Sequence, residues 1–162
     1  MRRISSHDSE VYSSDVFRIL ADYEITRSIR YPTPLGLLQI EVTPNASNEN
    51  ALGAAQAFFI TALNGHLRSV DITSTVGSEF RILLPATNTS GLETICERLL
   101  SVFKNKFETD FGSVTYSLHI GAASHNGGPS LTIEGFFQSA EKALKESKLK
   151  GPNTYVLIAS LR

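Results

Sequence analysis

Side chains able to act on a cation or a phosphate lie in two short stretches of the sequence. The stretch DITSTVGSEFRILLP carries the hydroxyl of Ser78 beside the carboxylate of Glu79, and Glu41 lies near the end of the apolar run LGLLQIEV. Carboxylate oxygens are the ligands that hard cations prefer, so Glu41 and Glu79 are candidates for a single metal ion if the fold brings them together. The alternative is that both are solvated carboxylates at strand ends.

Cysteine and histidine do not indicate a metal site or a hydrolytic site. Cys96 falls on the apolar side of a predicted helix, which favours a buried and inert thiol. His66, His119 and His125 lack metal-ligand spacing and have no obvious Ser or Cys partner.

The last predicted helix is basic. A run of this kind either holds phosphates or forms a solvated face that suits the negative end of the helix dipole. The second interpretation is preferred. The basic residues are Lys142, Lys145, Lys148 and Lys150.

The composition excludes several classes of protein. The 162 residues carry 15 basic and 16 acidic side chains, a net charge of −1, which favours neither nucleic acid nor an anionic membrane as partner. A single cysteine excludes an intrachain disulfide, and no run of about 18 apolar residues predicts a membrane span. We therefore expect a single cytoplasmic domain over 1–162, with a flexible N-terminal segment at 1–13.

Hydrophobic spacing and Pro/Gly punctuation predict the order α-β-α-β-β-α-β-α-β. The first helix is expected to bury Val16, Ile19, Leu20 and Tyr23, Pro44 is expected to end the first strand, and Ser90 with Glu93 forms a capping-box pattern. After the first helix, the order is the ferredoxin-like β-α-β-β-α-β, an α+β fold whose antiparallel sheet has helices on one face. In such a sheet, the end of the first strand lies beside the hairpin tip, so Glu41 and Glu79 are expected to converge. The predicted elements are helices at 14–28, 51–67, from 90 and 133–147, strands at 35–42, 113–124 and 154–159, and a hairpin at 71–85.

Six segments, in this order, resemble the GGDEF family of diguanylate cyclases. They are PLGLLQIEV, LRSVD, VGSEFRILLPAT, ICERLLSVF, YSLHIGAAS and SAEKALKESKLKGPN. The resemblance runs from about Val16 to Val156 and implies a nucleotidyl-cyclase palm. It also implies condensation of two GTP molecules to cyclic di-GMP by two bound Mg²⁺ ions in a dimer.

The residues that match the family's catalytic positions depart from its pattern. Glu41 stands at the first metal-binding Asp, Thr43 at the second acidic position, and Ser78 at the metal-binding acid of the signature. A neutral hydroxyl is a far weaker ligand for Mg²⁺ than a carboxylate. Val76 stands where the family has a first Gly, and we expect it to crowd the turn.

Other family positions match in part. Gly77 and Lys148 match positions that contact phosphate, whereas Pro152 replaces an Arg between Gly151 and Asn153. The loop before the second helix is shorter than usual by about five residues, and either Asn48 or Asn50 stands in for the base-reading Asn.

Arg68 and Asp71 match the Arg-x-x-Asp inhibitory site with which the family binds cyclic di-GMP. Arg can donate two hydrogen bonds to guanine O6 and N7, and a carboxylate can accept from N1 and N2. The alternative is structural, with Arg68 at a helix end and Asp71 at the start of a strand.

The prediction is therefore a catalytically inactive regulatory domain of bacterial cyclic di-GMP signalling, without a cofactor unless residual activity requires Mg²⁺. It either reads cyclic di-GMP at Arg68 and Asp71 or docks another signalling protein. The alternatives are a weak cyclase or GTP-binding domain, and a structural dimerisation domain, so a homodimer is a possible partner arrangement. Nucleic acid and membrane are not expected as partners.

Overall fold

The computed structural model describes residues 11–160, in which four helices surround one six-stranded sheet. The helices are α1 (Ser14–Arg30), α2 (Glu49–Gly65), α3 (Thr89–Phe103) and α4 (Ile133–Lys150). The strands are β1 (Leu35–Ala46), β2 (Ile72–Val76), β3 (Glu79–Pro85), β4 (Phe107–Thr109), β5 (Gly112–His125) and β6 (Thr154–Ser160). None of the described helices is long and apolar enough to cross a membrane.

The sheet has the strand order β2-β3-β1-β5-β4, and β6 pairs with β5 beside β4. All pairings are antiparallel except the parallel pair β5–β6. The predicted β-α-β-β-α-β order is confirmed. The short strand β4 was not predicted.

Helices cover both faces of the sheet, and alternate residues of the strands point to each face. In β1, Leu38 and Ile40 join the core formed with α2 and α3, whereas Leu35 and Leu37 join the core formed with α1 and α4. The prediction of helices on one face only is therefore wrong, because α1 and α4 bury apolar residues of their own against the second face.

The predicted inward face of α1 is also wrong for three of its four residues; the fourth, Leu20, is partly buried against the second core. Val16, Ile19 and Tyr23 are 40%, 68% and 67% exposed. The large residues Phe17 and Ile25 are buried instead, and the small residue Ala21 between them lets the helix approach the sheet closely. The buried residues of α1 are Phe17, Ala21, Ile25 and Ser28.

Two further local predictions are corrected. The helix α3 begins at Thr89, and its N-cap is Asn88, whose side chain accepts a hydrogen bond from the Gly91 N–H, so Ser90 and Glu93 do not form the predicted capping box. Strand β1 continues past Pro44 to Ala46. Proline is tolerated there because β3 pairs with β1 only as far as Glu41, which leaves one edge of β1 unpaired.

The N-terminal segment expected to be flexible falls mostly outside the described residues, since it spans 1–13. Within the described part, Tyr12 forms a parallel bridge with Ser74 at the edge of the sheet, and its N–H donates to the Thr73 carbonyl at 2.8 Å. Ser13 caps α1 by accepting from the Val16 N–H.

Candidate functional site

The hairpin between β2 and β3 is a tight, regular turn. Val76 pairs with Glu79, which leaves Gly77 and Ser78 as the loop. Gly77 has a φ of +62°, the conformation that a type II′ turn requires at its first central position. The crowding expected at Val76 is not found, because Val76 ends β2 and its side chain is 52% exposed.

Glu41 and Glu79 lie directly opposite each other across β1 and β3, so the predicted convergence of the two carboxylates is confirmed. Each carboxylate already has a protein partner. Glu41 Oε1 lies 3.1 Å from the ammonium of Lys148 on α4, and Glu79 Oε1 accepts a hydrogen bond from Gln39 Nε2 at 2.8 Å.

The residues at this edge of the sheet do not fit paired divalent cations. Mg²⁺ requires several oxygen ligands in near-octahedral geometry, and two Mg²⁺ ions require carboxylates that are free to bind them. One of the two carboxylates here is paired with Lys148, and Thr43 and Ser78 are exposed neutral residues. Within residues 11–160, no group of three or more His, Cys, Asp or Glu side chains could hold a metal ion.

Arg68 and Asp71 bind each other. The Asp71 side chain is only 1% exposed; it accepts from the Arg68 N–H at 2.7 Å and from Arg68 Nη2 at 2.8 Å. Arg68 Nη2 also donates to the Pro85 carbonyl at 2.6 Å and to Thr87 Oγ1 at 2.9 Å. The pair therefore closes the turn after α2 and ties it to the segment after β3.

The segment after α4 is held by its backbone and by Asn153. Gly151 ends the helix with a φ of +114°. Asn153 exchanges two hydrogen bonds with Leu118 of β5, donating from its N–H at 2.7 Å and accepting at Oδ1 at 3.1 Å. This geometry keeps α4 against the sheet and thereby holds Lys148 near Glu41.

The start of α2 uses Asn48 as a cap. Its Oδ1 accepts from the Ala51 N–H at 2.8 Å and its Nδ2 donates to the Phe111 carbonyl at 3.1 Å. Because both ends of the amide are occupied, reading a base with Asn48 would require breaking the cap.

A cleft of about 230 Å³ lies between the hairpin, the end of β1 and α2. Tyr116 lines it, but its hydroxyl donates to the Ala55 carbonyl at 2.6 Å, and burial raises the pKa of Tyr116 to about 12. None of the lining side chains is charged, so the cleft offers no complement to a triphosphate. They belong to Val42, Pro44, Gln56, Phe59, Ile60, Thr75, Ser78, Phe80 and Tyr116.

His125 has a serine partner that the sequence did not reveal, since Ser130 Oγ lies 3.2 Å from His125 Nε2. His125 Nδ1 accepts from the Gly127 N–H at 2.9 Å, so in the neutral ring Nε2 carries the proton and donates to Ser130. A ring in this tautomer cannot act as the base that activates Ser130. The prediction that no histidine has a Ser partner is thus wrong, but the pair fixes the loop after β5 and does not form a hydrolytic dyad.

The sequence matches the family described as diguanylate cyclase, GGDEF domain, over residues 57–154. The fold is similar to that of the FimX GGDEF domain from Pseudomonas aeruginosa, with a TM-score of 0.73 and 18% identity over 97% of this chain and 100% of that one. The diguanylate cyclase SiaD from the same organism, solved in complex with its activator SiaC, gives a TM-score of 0.73 at 16% identity over 94% of this chain and 60% of SiaD.

The GGDEF domain of DgcB from Caulobacter crescentus, solved in complex with c-di-GMP, is similar as well. It gives a TM-score of 0.67 at 17% identity over 98% of this chain and 95% of that one. No curated protein matches the sequence.

Proposed function

The chain belongs to the GGDEF family, and from this membership we propose that it is a catalytically silent domain of cyclic di-GMP signalling that acts by docking another protein. The observation that supports silence most directly is the state of the two carboxylates at the hairpin edge. Glu41 is paired with Lys148 and Glu79 with Gln39, while the hairpin tip carries the exposed hydroxyl of Ser78.

Condensation of two GTP molecules depends on metal charge at the reacting triphosphate. Without metal charge at the reacting phosphate, transition-state stabilisation of several kcal/mol is lost, on the order of several decades in rate. The uncharged lining of the neighbouring cleft adds no compensating contact. Weak condensation of GTP to cyclic di-GMP, the alternative enzymatic function, therefore receives no support from this edge of the sheet.

Docking is favoured over reading cyclic di-GMP at Arg68 and Asp71. A dinucleotide would have to displace Arg68 from a carboxylate that is 1% exposed and from the Pro85 carbonyl and Thr87 hydroxyl. SiaD, of which 60% is similar in fold to this chain, is solved in complex with its activator SiaC and is a precedent for a protein partner of a similar protein.

The test of silence is incubation with GTP and either Mg²⁺ or Mn²⁺, followed by chromatography for cyclic di-GMP, with SiaD and SiaC as the positive control. We expect no product at protein concentrations at which the control reaction goes to completion. Accumulation of cyclic di-GMP would overturn the proposal.

Calorimetry with cyclic di-GMP separates docking from reading. We expect no saturable heat with the wild-type protein, nor with Arg68→Ala or the matched surface variant Arg27→Ala. Saturable binding that is lost in Arg68→Ala and kept in Arg27→Ala would identify the domain as a reader.

A further inference from the structure

A second cleft, of about 250 Å³, lies between α1, α4 and the face of the sheet that these helices cover. Gln39 of β1 and Arg81 of β3, which pair directly across the two strands, form its floor. Arg18 of α1 and the first half of α4 line its sides. This cleft lies on the opposite face of the sheet from the uncharged cleft beside the hairpin, whose walls include the core residues Phe59 and Phe80.

The guanidinium of Arg81 has no oxygen acceptor at hydrogen-bond distance within residues 11–160. The Arg81 side chain is only 34% exposed, and Glu141 Oε2 lies 4.0 Å from its Nη2, beyond hydrogen-bond distance. Its guanidinium carbon lies 5.9 Å from the centre of the Phe137 ring, a contact that supplies no acceptor. Five N–H donors are therefore left without an acceptor in a largely buried place, at a cost in free energy that a ligand with an acceptor would recover.

Glu141 is the matching unused acceptor. Among the described residues, its carboxylate has no partner closer than Arg81 at 4.0 Å, and its side chain is 52% exposed. By contrast, the ion pair between Arg18 and Asp22 on α1 is closed at 2.8 Å. Arg81 and Glu141 thus place unused donors and an unused acceptor side by side in one cleft.

The charges of the cleft suit a zwitterion. The lining includes two arginines and two glutamates, so neither an anion nor a cation alone is favoured. A carboxylate can accept two parallel hydrogen bonds from a guanidinium, and an ammonium can donate to a carboxylate. An α-amino acid carries both groups on one carbon atom, which suits a guanidinium and a carboxylate that lie 4.0 Å apart. The four charged residues are Arg18, Arg81, Glu134 and Glu141.

The size of the cleft and its remaining wall restrict the ligand further. Clefts that hold drug-sized ligands measure roughly 300–1,000 Å³, so a cleft of about 250 Å³ suits a single small molecule. Phe137, whose ring packs edge-on against Phe17 of the core, offers an apolar surface to the ligand. An apolar side chain on the amino acid is therefore favoured.

We propose that this cleft binds a free α-amino acid with an apolar side chain, whose carboxylate pairs with Arg81 and whose ammonium pairs with Glu141. Both partners are partly exposed to water, so the affinity is low, with a dissociation constant on the order of 1 mM. The proposal is independent of catalytic silence, because it involves neither Glu41 nor the hairpin.

A titration followed by NMR of the backbone amides tests the ligand class. The probes are L-alanine, L-leucine and L-phenylalanine, each compared with the two analogues that lack one charged group; for leucine these are 3-methylbutylamine and 4-methylpentanoate. We expect saturable shifts at Arg81 and Glu141 with at least one amino acid, and binding about tenfold or more weaker for both of its analogues. No saturable shift with any of the three, or an analogue that binds as tightly as its amino acid, overturns the proposal.

Two substitutions test the assigned residues. Arg81→Gln and Glu141→Gln are each expected to raise the dissociation constant of the amino acid about tenfold or more, because each removes one charged contact. Arg98→Gln and Glu146→Gln are the matched controls, since both side chains are exposed on α3 and α4 outside the cleft, and their effect is expected to stay within about twofold.

Glu141→Gln keeps the test decisive even if Arg81→Gln fails to fold, because the Glu141 side chain is 52% exposed. Circular dichroism checks the fold of each variant. Wild-type affinity in Glu141→Gln, or an equal loss of affinity in Glu146→Gln, contradicts the assigned site.

Discussion

A substitution in the Arg68–Asp71 pair distinguishes most directly between a structural and a ligand-binding function. In the structure, Asp71 is the internal partner of Arg68, with its side chain 1% exposed. If the pair is structural, Asp71→Asn must destabilise the free protein. If it is a ligand site, the substitution must remove binding and leave stability nearly unchanged.

The expected loss follows from the contacts of the carboxylate. Asp71 accepts from the Arg68 N–H at 2.7 Å and from the guanidinium at 2.8 Å. Hydrogen bonds to a charged group contribute about 1.5–3 kcal/mol each, and the contact to the guanidinium is discounted because the Arg68 side chain is 48% exposed. Since an amide keeps one acceptor, we expect Asp71→Asn to lower the free energy of unfolding by about 2–3 kcal/mol.

Thermal unfolding followed by circular dichroism measures the effect. For a domain of this size, a loss of about 2–3 kcal/mol corresponds to a fall in Tm of roughly 5–10 °C. Asp22→Asn is the matched control, because Asp22 also pairs with an arginine of its own segment but is 43% exposed; its change is expected to stay within about 0.5 kcal/mol. A double-mutant cycle with Arg68→Ala then isolates the coupling between the two side chains.

One combination of results would refute this reasoning. If Asp71→Asn unfolds at the wild-type temperature, and cyclic di-GMP raises the Tm of the wild type but not of the variant, then the pair serves a ligand and not the fold.

Three further substitutions probe helix packing, an exposed helix glycine and the buried thiol. Gly121→Ala places a Cβ about 2.2 Å from the Leu144 backbone nitrogen of α4, so we expect the free energy of unfolding in urea to fall by about 1–3 kcal/mol or more. Gly53→Ala lies in α2 with open space around it, and we expect the free energy of unfolding to rise by about 0.5–1 kcal/mol. Burial, with Glu97 and Glu93 nearby, raises the pKa of Cys96 from 9.0 to about 12. The buried thiol therefore stabilises the fold fully below pH 9.0, and this contribution is lost as the pH rises towards 12. Urea midpoints at pH 8 and pH 11 are expected to differ less in Cys96→Ala than in the wild type, and a thiol reagent at pH 8 is expected to react with Cys96 only after unfolding.

The order of the elements was predictable because Pro and Gly separate long, strongly patterned segments. Strand β4 was missed because three residues, Phe107–Thr109, are too short to show a period. The start of α3 was misplaced because Asn88 and Ser90 are both good N-cap residues, and only the tertiary contacts of the chain decide between them.

The face of α1 could not be predicted from hydrophobicity. Helical spacing predicted Val16, Ile19, Leu20 and Tyr23 as the inward stripe, although Phe17, Ala21 and Ile25 have helical spacing as well. The side with Ala21 and Ser28 packs on the sheet instead. The loop after β5 comes close to the helix there, because a Cβ on Gly127 would lie 2.6 Å from Ser28 Oγ. The same side also buries the large residues Phe17 and Ile25, so α1 has two apolar stripes at helical spacing, and only the one that includes small residues fits the close contact.

Convergence of Glu41 and Glu79 was predictable, because it follows from the β-α-β-β order alone. The partners of these carboxylates were not. Lys148 reaches Glu41 only because α4 packs closely on β5, where Gly121 lies against the helix backbone. Such a contact joins residues far apart in the chain and leaves no local pattern in the sequence.

The positions that agree with the family's motifs and those that depart from them differ in what they do for the fold. Asp71 is buried against Arg68, Gly151 ends α4 with a positive φ, and Asn153 bonds to β5. Thr43 and Ser78, which depart from the motifs, are exposed and serve the sheet through their backbone: Thr43 pairs with Ser117, and the Ser78 carbonyl accepts from the Val42 N–H at 3.2 Å. We expect this difference in a domain that keeps its fold without condensing GTP. In such a domain, an exposed side chain can be replaced without loss of stability, because no substrate depends on it. Arg68 and Asp71 match the motif and close the turn after α2 in the free protein, so the unfolding temperature of Asp71→Asn, with and without cyclic di-GMP, decides whether they also bind a dinucleotide.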